Sequence, residues 1–183
     1  MGSHRLPKEV DLTAEDLRAV VEFALTAARS VLPLYVEACP DSPMPQAALN
    51  AAQRFVDGEP RSNLQRRTAV DAHRAAKAAP TAAATRAAYA AGDAAAAAYL
   101  HPLPKATQVG HILRASAYAA AAVEADGSAA DAERFIAAEI ARMPAAVLDV
   151  LRRYPPAPKG KTRVAQLMFL LDATLRPEVF PEP

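Results

Sequence analysis

The stretch from Thr81 to Ala122 constrains the fold more than any other part of the sequence. It contains two alanine-rich segments, TAAATRAAYAAGDAAAAAYL and ATQVGHILRASAYAAAA, on either side of the pentapeptide HPLPK. Alanine has the highest intrinsic helix propensity because its side chain loses no rotamer entropy in a helix. The stretch therefore predicts two long helices joined by a turn at His101–Lys105. Methyl side chains let helix axes approach to about 8 Å, so we expect other helices to wrap around this pair.

Signals for the ends of helices divide the rest of the chain. The predicted N-terminal caps are Thr13, Ser62, Thr81, Ser128 and Thr162. The predicted stops or breaks are Gly58, Pro80, Gly127 and Pro144. The alternating β-branched runs that are typical of strands are missing from the sequence. We therefore predict an all-α fold, a single alanine-rich bundle of about seven helices.

Pro33 interrupts the first predicted helix, in the segment SVLPLYVEAC. Proline lacks the backbone N–H and its ring clashes with the preceding turn, so we expect the helix to kink or restart there. The bulky neighbours of the proline predict that this kink is buried.

The chain divides into three predicted segments. Residues 1–12 are an irregular lead-in, of which Gly2, Ser3 and His4 are interpreted as an expression remnant. Residues 13–127 form the alanine-rich helical domain, and residues 128–183 form a C-terminal helical extension. The last predicted helix, VAQLMFLLDATL, is apolar almost all round and must be covered. We expect it to pack on the same chain or on a second copy, as a homodimer.

Composition limits the partners and the compartment. The formal net charge is +1, so we expect no nucleic acid partner. Cys39 is the only cysteine, which precludes an intrachain disulfide and fits a reducing cytoplasm. The start of the sequence, MGSHRLPKEV, lacks the apolar core of a signal peptide. Alanine is also too weakly apolar for the alanine-rich helices to insert into a membrane, so we expect no membrane span.

Polar side chains recur at helical spacing on the alanine-rich helices and on the helix before them. The candidate binding residues are His73, Tyr89, Asp93, His111, Arg114 and Tyr118. If the two alanine-rich helices pack antiparallel, Asp93 meets His111 or Arg114. A carboxylate facing an imidazole raises its pKa and orients it for acid–base chemistry. The favoured interpretation is simpler: these side chains form hydrogen bonds that set the register of the helices.

No motif for catalysis or for metal binding occurs in the sequence. His73, His101 and His111 do not have metal-ligand spacing, and Cys39 has no companion ligand. The HExxH, GxSxG, P-loop and glycine-rich dinucleotide motifs are missing. We therefore predict no catalytic residue, no metal and no cofactor.

Three segments of the sequence carry a resemblance to a known family. They are RSVLPLYVEACPDSPMPQAALNAAQRFVDGE, RRTAVDAHRAAKAA and ATRAAYAAGDAAAAAYL, and they span roughly residues 20 to 125. They resemble the alanine-rich, all-helical immunity proteins of bacterial polymorphic-toxin systems, in the group called immunity type five. The proline inside VLPLY and the Asp57-Gly58-Glu59 stop are the most specific points.

The chain departs from the pattern of this family at two positions. Phe55 stands where the family tends to have tryptophan, and Asp93 stands where the family tends to have histidine after a glycine. The segment after Gly127 looks like an addition. The resemblance implies a non-catalytic protein that binds and neutralises a cognate toxin.

Three hypotheses for the function follow. The first is a cytoplasmic binding protein that neutralises a toxin, which a neighbouring gene for a secreted toxin would favour. The second is a small-molecule-binding protein, or an enzyme, with a pocket between the central helices; a pocket holding His111 and the candidate tyrosines would favour it. The third is an assembly protein that dimerises through its last helix. The sequence favours the first, a protein that is not an enzyme.

Overall fold

The computed structural model of the chain describes residues 9–180 and shows an all-α protein. Within these residues there are eight α-helices and no strands, which confirms the predicted helical bundle. The helices are α1 (Ala14–Ala38), α2 (Met44–Val56), α3 (Asn63–Ala78), α4 (Ala82–Ala96), α5 (Val109–Asp126), α6 (Ala129–Ala141), α7 (Ala145–Arg152) and α8 (Arg163–Leu175). Gly2, Ser3 and His4, interpreted as an expression remnant, lie outside the described residues.

The predicted N-terminal caps are present. The side chains of Thr13 and Ser62 form complete capping boxes, with Asp16 and Gln65 returning a hydrogen bond to the cap backbone. The other three predicted caps each accept a hydrogen bond from a backbone N–H of the first turn. Gly58 follows α2 with a φ of 105°, a conformation that glycine adopts without the steric cost of a Cβ.

We expected the first helix to kink or restart at Pro33, in a buried position. A restart there is wrong, because α1 runs through Pro33 as one helix of 25 residues, and burial of the proline is wrong as well. Val31 and Tyr35 are buried, but Pro33 is exposed and Val36 is 46% exposed. The proline leaves the carbonyl of Arg29 without its helical partner. Because Arg29 is on the solvent side of α1, water can hydrogen-bond to that carbonyl and the helix survives.

The predicted turn at His101–Lys105 is present, although α5 begins later than the sequence indicates. A 3-10 turn at Ala106–Gln108 separates the pentapeptide from α5. Two distant groups hold the turn in place: the N–H of Val10 donates to the Pro102 carbonyl at 2.7 Å, and the Tyr154 hydroxyl donates to the His101 carbonyl at 2.7 Å.

The centre of the bundle is the antiparallel pair α4 and α5. Helices α1, α2 and α3 pack against α4, and α1, α6 and α8 pack against α5. Both helices carry many alanine side chains with no exposed surface, among them Ala88, Ala95, Ala117 and Ala120. Larger side chains come from the outer helices, such as Phe23 and Leu49. The expectation that other helices wrap the alanine-rich pair is therefore confirmed.

Helix α1 is the one described helix that is long and apolar enough to cross a membrane by length and composition. Half of the relevant segment is buried inside the bundle. A core helix of a helical bundle has the same composition, because it too must bury an apolar stripe.

Helix α8 packs against α5 and α6 of the same chain, with Leu167 and Leu171 buried. A fully buried ion pair anchors its end: Arg176 Nη2 lies 2.9 Å from Asp172 Oδ2. The Arg176 guanidinium also donates to the carbonyls of Leu151 and Tyr154, at 2.8 and 2.6 Å. These contacts join α8 to the end of α7. The division of the chain after Gly127 and the exchange of α8 between copies stay predictions.

Candidate functional site

A buried carboxylate lies at the contact between α4 and α5. Asp93 is 3% exposed, and the guanidinium of Arg114 on α5 holds both of its oxygens. Arg114 Nε lies 2.9 Å from Oδ2, and Nη2 lies 3.1 Å from Oδ1. Of the two partners that the sequence offered for Asp93, the arginine therefore makes the contact. Such a two-point pair fixes geometry as well as charge.

His73 approaches the same carboxylate from α3. Its Nε2 lies 3.4 Å from Asp93 Oδ1, close enough for an ion pair but without the geometry of a hydrogen bond. Gly92 makes this approach possible, because a Cβ at that position would lie 2.5 Å from His73 Nε2. The absence of a side chain at Gly92 thus lets α3 place an imidazole against α4.

The surroundings of Asp93 keep it ionised. Burial raises the pKa of the Asp93 carboxyl, but the neighbouring His73 and the Arg114 guanidinium lower it by more. The pKa therefore lies below its ordinary value of 3.8. A permanent negative charge at this position balances Arg114 throughout the neutral range.

The two candidate tyrosines extend this cluster along α4 and α5. The ring of Tyr89 lies 5.3 Å from the ring of His73 and 5.0 Å from that of Tyr118, centroid to centroid. The two tyrosine rings are stacked with 19° between their planes. Burial, and then the charge of Asp93, raises the pKa of the Tyr118 hydroxyl. His73, Tyr89, Asp93, Arg114 and Tyr118 are thus one connected group.

His111, the sixth candidate, faces a different neighbour. Its Nδ1 lies 3.0 Å from the carbonyl oxygen of Ala96. Because a carbonyl can only accept, Nδ1 carries the hydrogen and donates it. In the neutral ring, Nε2 is then the nitrogen without a hydrogen and can accept a hydrogen bond. Burial, and then the charge of Arg114, lowers the pKa of His111 below 6.5, so the ring is neutral at pH 7.

A cavity of about 530 Å³ lies between α3 and the junction of α4 with α5. We call it the histidine cavity, because three of the four histidines in the chain line it. Its polar lining consists of Arg61, Arg66, His73, Tyr99, His101 and His111. Its apolar lining consists of Ala69, Val70 and Ala96.

The histidine cavity differs from the pocket that the sequence suggested. It contains His73 and His111, but Tyr89 and Tyr118 are not among its lining residues. The tyrosine that lines it is Tyr99, whose hydroxyl donates to the Ser62 carbonyl at 2.7 Å. Within residues 9–180 no three His, Cys, Asp or Glu side chains form a group that could hold a metal ion.

Four polar residues of the histidine cavity were not among the candidates from the sequence: Arg61, Arg66, Tyr99 and His101. The sequence does place Arg66 on the same face of α3 as His73, two helical turns before it, which is the signal that points to Arg66. Arg61 and Tyr99 are 38 positions apart and meet only through the fold, with the guanidinium 5.2 Å from the ring centroid.

The fold and the cluster together define an all-α, alanine-rich bundle whose central helices are joined by an ion pair between a buried carboxylate and a half-buried guanidinium. A model of the family described as "Imm-5 like putative immunity protein" matches residues 11–146. This is more than half of the chain, and the chain belongs to that family. The match runs past Gly127 through α6 and ends at the start of α7. No curated protein and no solved structure matches the chain.

Proposed function

We propose that this protein is a cytoplasmic immunity protein that neutralises a cognate bacterial toxin by binding it directly, without catalysing a reaction. The observation that supports this most is the family match over residues 11–146. A protein with this task needs a rigid scaffold and an exposed contact surface rather than a reactive centre. The closely packed alanine helices supply such a scaffold.

The outer face of α3 is the surface that we assign to the toxin. We define the α3 outer face as Arg66, Arg67, Val70, Arg74 and Lys77, which are all exposed. The opposite side of α3 consists of buried alanines that pack toward α2 and α4. The face is therefore presented by a helix that the rest of the bundle holds firmly.

The centre of the α3 outer face is apolar. Val70 is 44% exposed and lines both the histidine cavity and a shallower groove of about 310 Å³ on its other side. Arg66 also lines both. An exposed apolar side chain among arginines is a composition in which interface hot spots are enriched.

The charge of the α3 outer face indicates the chemistry of the partner. Four of its side chains are cationic, and the one adjacent carboxylate, Asp71, is paired with Arg74 at 3.1 Å. Within residues 9–180, the side chains of Arg66, Arg67 and Lys77 make no hydrogen bond or ion pair. Unpaired cations steer an oppositely charged partner and speed its association. We therefore expect a toxin surface that is rich in Asp and Glu.

The test is to co-express the protein with the candidate toxin encoded beside its gene. We expect the protein to restore growth and to co-purify with the toxin as a stoichiometric complex. Val70→Glu places a carboxylate at the centre of the face, so it should weaken the complex at least about tenfold and abolish protection. Arg29→Glu is the matched control, because Arg29 is exposed on α1, away from α3.

Two outcomes would count against the proposal. If the wild-type protein neither protects cells nor binds the neighbouring toxin, neutralisation by direct binding is wrong. If Val70→Glu protects as well as Arg29→Glu does, the assignment of the α3 outer face is wrong. A circular dichroism melt of each variant shows whether it is folded.

A further inference from the structure

We propose that the histidine cavity binds a small organic phosphate, an anionic group attached to a flat or apolar body. The cavity shares Arg66 and Val70 with the α3 outer face, but this ligand is a further one besides the toxin, and its test needs no toxin. The cavity combines two cationic arginines and three histidines with an apolar floor, and its volume of about 530 Å³ suits a small ligand. Pockets for such ligands typically measure roughly 300–1,000 Å³.

The charge of the lining selects an anion. Two arginines and three histidines line the cavity, and no Asp or Glu is among its lining residues. Asp93, the carboxylate that His73 contacts, is buried and paired with Arg114. The whole chain carries a net charge of only +1, so this grouping of basic side chains is local. An anion that enters therefore meets attraction without a competing carboxylate.

The two arginines have donors to spare. Arg61 donates Nη1–H to the Ala98 carbonyl at 3.0 Å and lies over the Tyr99 ring, so its guanidinium is held in place. A guanidinium has five N–H donors, and this contact uses one of them. The side chain of Arg66 makes no hydrogen bond or ion pair within residues 9–180. Planar guanidinium groups match the spacing of phosphate oxygens.

The histidines complete the set of polar groups. His111 commits Nδ1–H to the Ala96 carbonyl, so Nε2 is left for a ligand. A neutral Nε2 accepts a hydrogen bond from a protonated phosphate oxygen, and a protonated Nε2 donates to an ionised one. His101 lies on the turn that Val10 and Tyr154 hold from two sides. The wall of the cavity is therefore already formed before a ligand arrives.

The remainder of the lining suits the body of the ligand rather than its charge. Ala69, Val70 and Ala96 provide apolar surface, and the Tyr99 ring provides an aromatic one. Flat heterocycles stack on aromatic rings and on guanidinium planes. A nucleoside monophosphate has both a phosphate and a flat heterocycle, so 5′-AMP is a suitable probe.

The experiment is isothermal titration calorimetry of the full chain with 5′-AMP, adenosine and inorganic phosphate. We expect saturable binding of 5′-AMP at one site, and adenosine should bind at least about tenfold more weakly because it lacks the charge. Inorganic phosphate should compete with 5′-AMP. In a histidine NMR spectrum, 5′-AMP should raise the pKa of His111, because a nearby anion favours the protonated ring.

Substitutions on α3 locate the site. Arg66→Gln should weaken 5′-AMP binding at least about tenfold. Arg67→Gln is the matched control, since it removes the same charge from the next residue, which lines the neighbouring groove instead. Both positions are exposed, so both variants should fold. Absent binding of 5′-AMP, equal binding of adenosine, or equal losses from the two substitutions would each overturn the proposal.

Discussion

Gly92→Ala is the substitution that most directly tests how α3 and α4 fit together. A Cβ at this position would lie 2.5 Å from His73 Nε2 and 3.0 Å from the carbonyl oxygen of Ala69. The first distance is far below van der Waals contact, so the imidazole must move away from Asp93. The second involves backbone, which cannot move without shifting α3. We therefore expect the substitution to destabilise the protein.

Two opposing contributions set the magnitude. Replacing glycine by alanine inside a helix stabilises it by roughly 0.5–1 kcal/mol. Overpacking a core contact costs about 1–3 kcal/mol. The clash with a ring and a backbone carbonyl places Gly92→Ala within that range. The net loss of unfolding free energy should therefore be about 0.5–2 kcal/mol.

A double-mutant cycle with His73→Ala assigns this cost to the imidazole. Once the ring is gone, Gly92→Ala should be close to neutral, so the coupling free energy should equal its cost in the wild-type chain, about 0.5–2 kcal/mol. Urea denaturation followed by circular dichroism measures all four proteins. If Gly92→Ala stabilises the wild-type chain by the amount expected for a solvent-facing helical glycine, the close approach of α3 to α4 is refuted.

Two further predictions concern pH and packing. The pKa of His111 is lowered in the folded state, so below pH 6.5 the unfolded chain binds the proton first and stability falls as the pH falls. His111→Asn keeps a donor for the Ala96 carbonyl but removes the group that titrates. The free energy of unfolding should therefore fall less between pH 7.5 and 5.5 in this variant than in the wild type. Equal falls in the two proteins would contradict the prediction. Ala95→Leu and Ala120→Leu should each cost about 1–3 kcal/mol, because both alanines have no exposed surface. The exposed Ala137→Leu is their control, and wild-type melting temperatures for both buried variants would argue against a close-packed central pair.

The ends of the helices were predictable because their causes are local. A serine or threonine cap and its partner lie three residues apart, so the sequence contains the whole interaction at Thr13 and at Ser62. Whether α1 continues through Pro33 was not predictable in the same way. Whether a proline breaks a helix depends on which face it occupies, and that face is fixed by the packing of α1 on α4 and α5.

The candidate cluster shows the same division between local and tertiary causes. Antiparallel packing of α4 and α5 brings Asp93 to Arg114, a pairing that the spacing on the two helices already suggested. The approach of His73 depends on the register of α3 against α4. Gly92 leaves room for this approach, but a glycine in the sequence does not by itself predict it. The histidine cavity needs residues from α3, the end of α4, the turn and α5 at once. The spacing of residues within one helix cannot predict a cavity that several elements form together.

Helix α8 shows why an apolar pattern alone is an incomplete guide. Its composition predicted a covered helix, and Leu167 and Leu171 are indeed buried. Asp172 and Arg176 have the i, i+4 spacing that usually marks an exposed helical pair, yet both are fully buried. Burial is tolerated because Arg176 also donates to carbonyls at the end of α7, while Asp172 Oδ2 accepts the N–H of Ala157 at 2.6 Å. Removing one member of a buried pair typically costs about 3–5 kcal/mol. The two polar residues therefore fix α8 in a single position, which apolar contacts alone would specify less well.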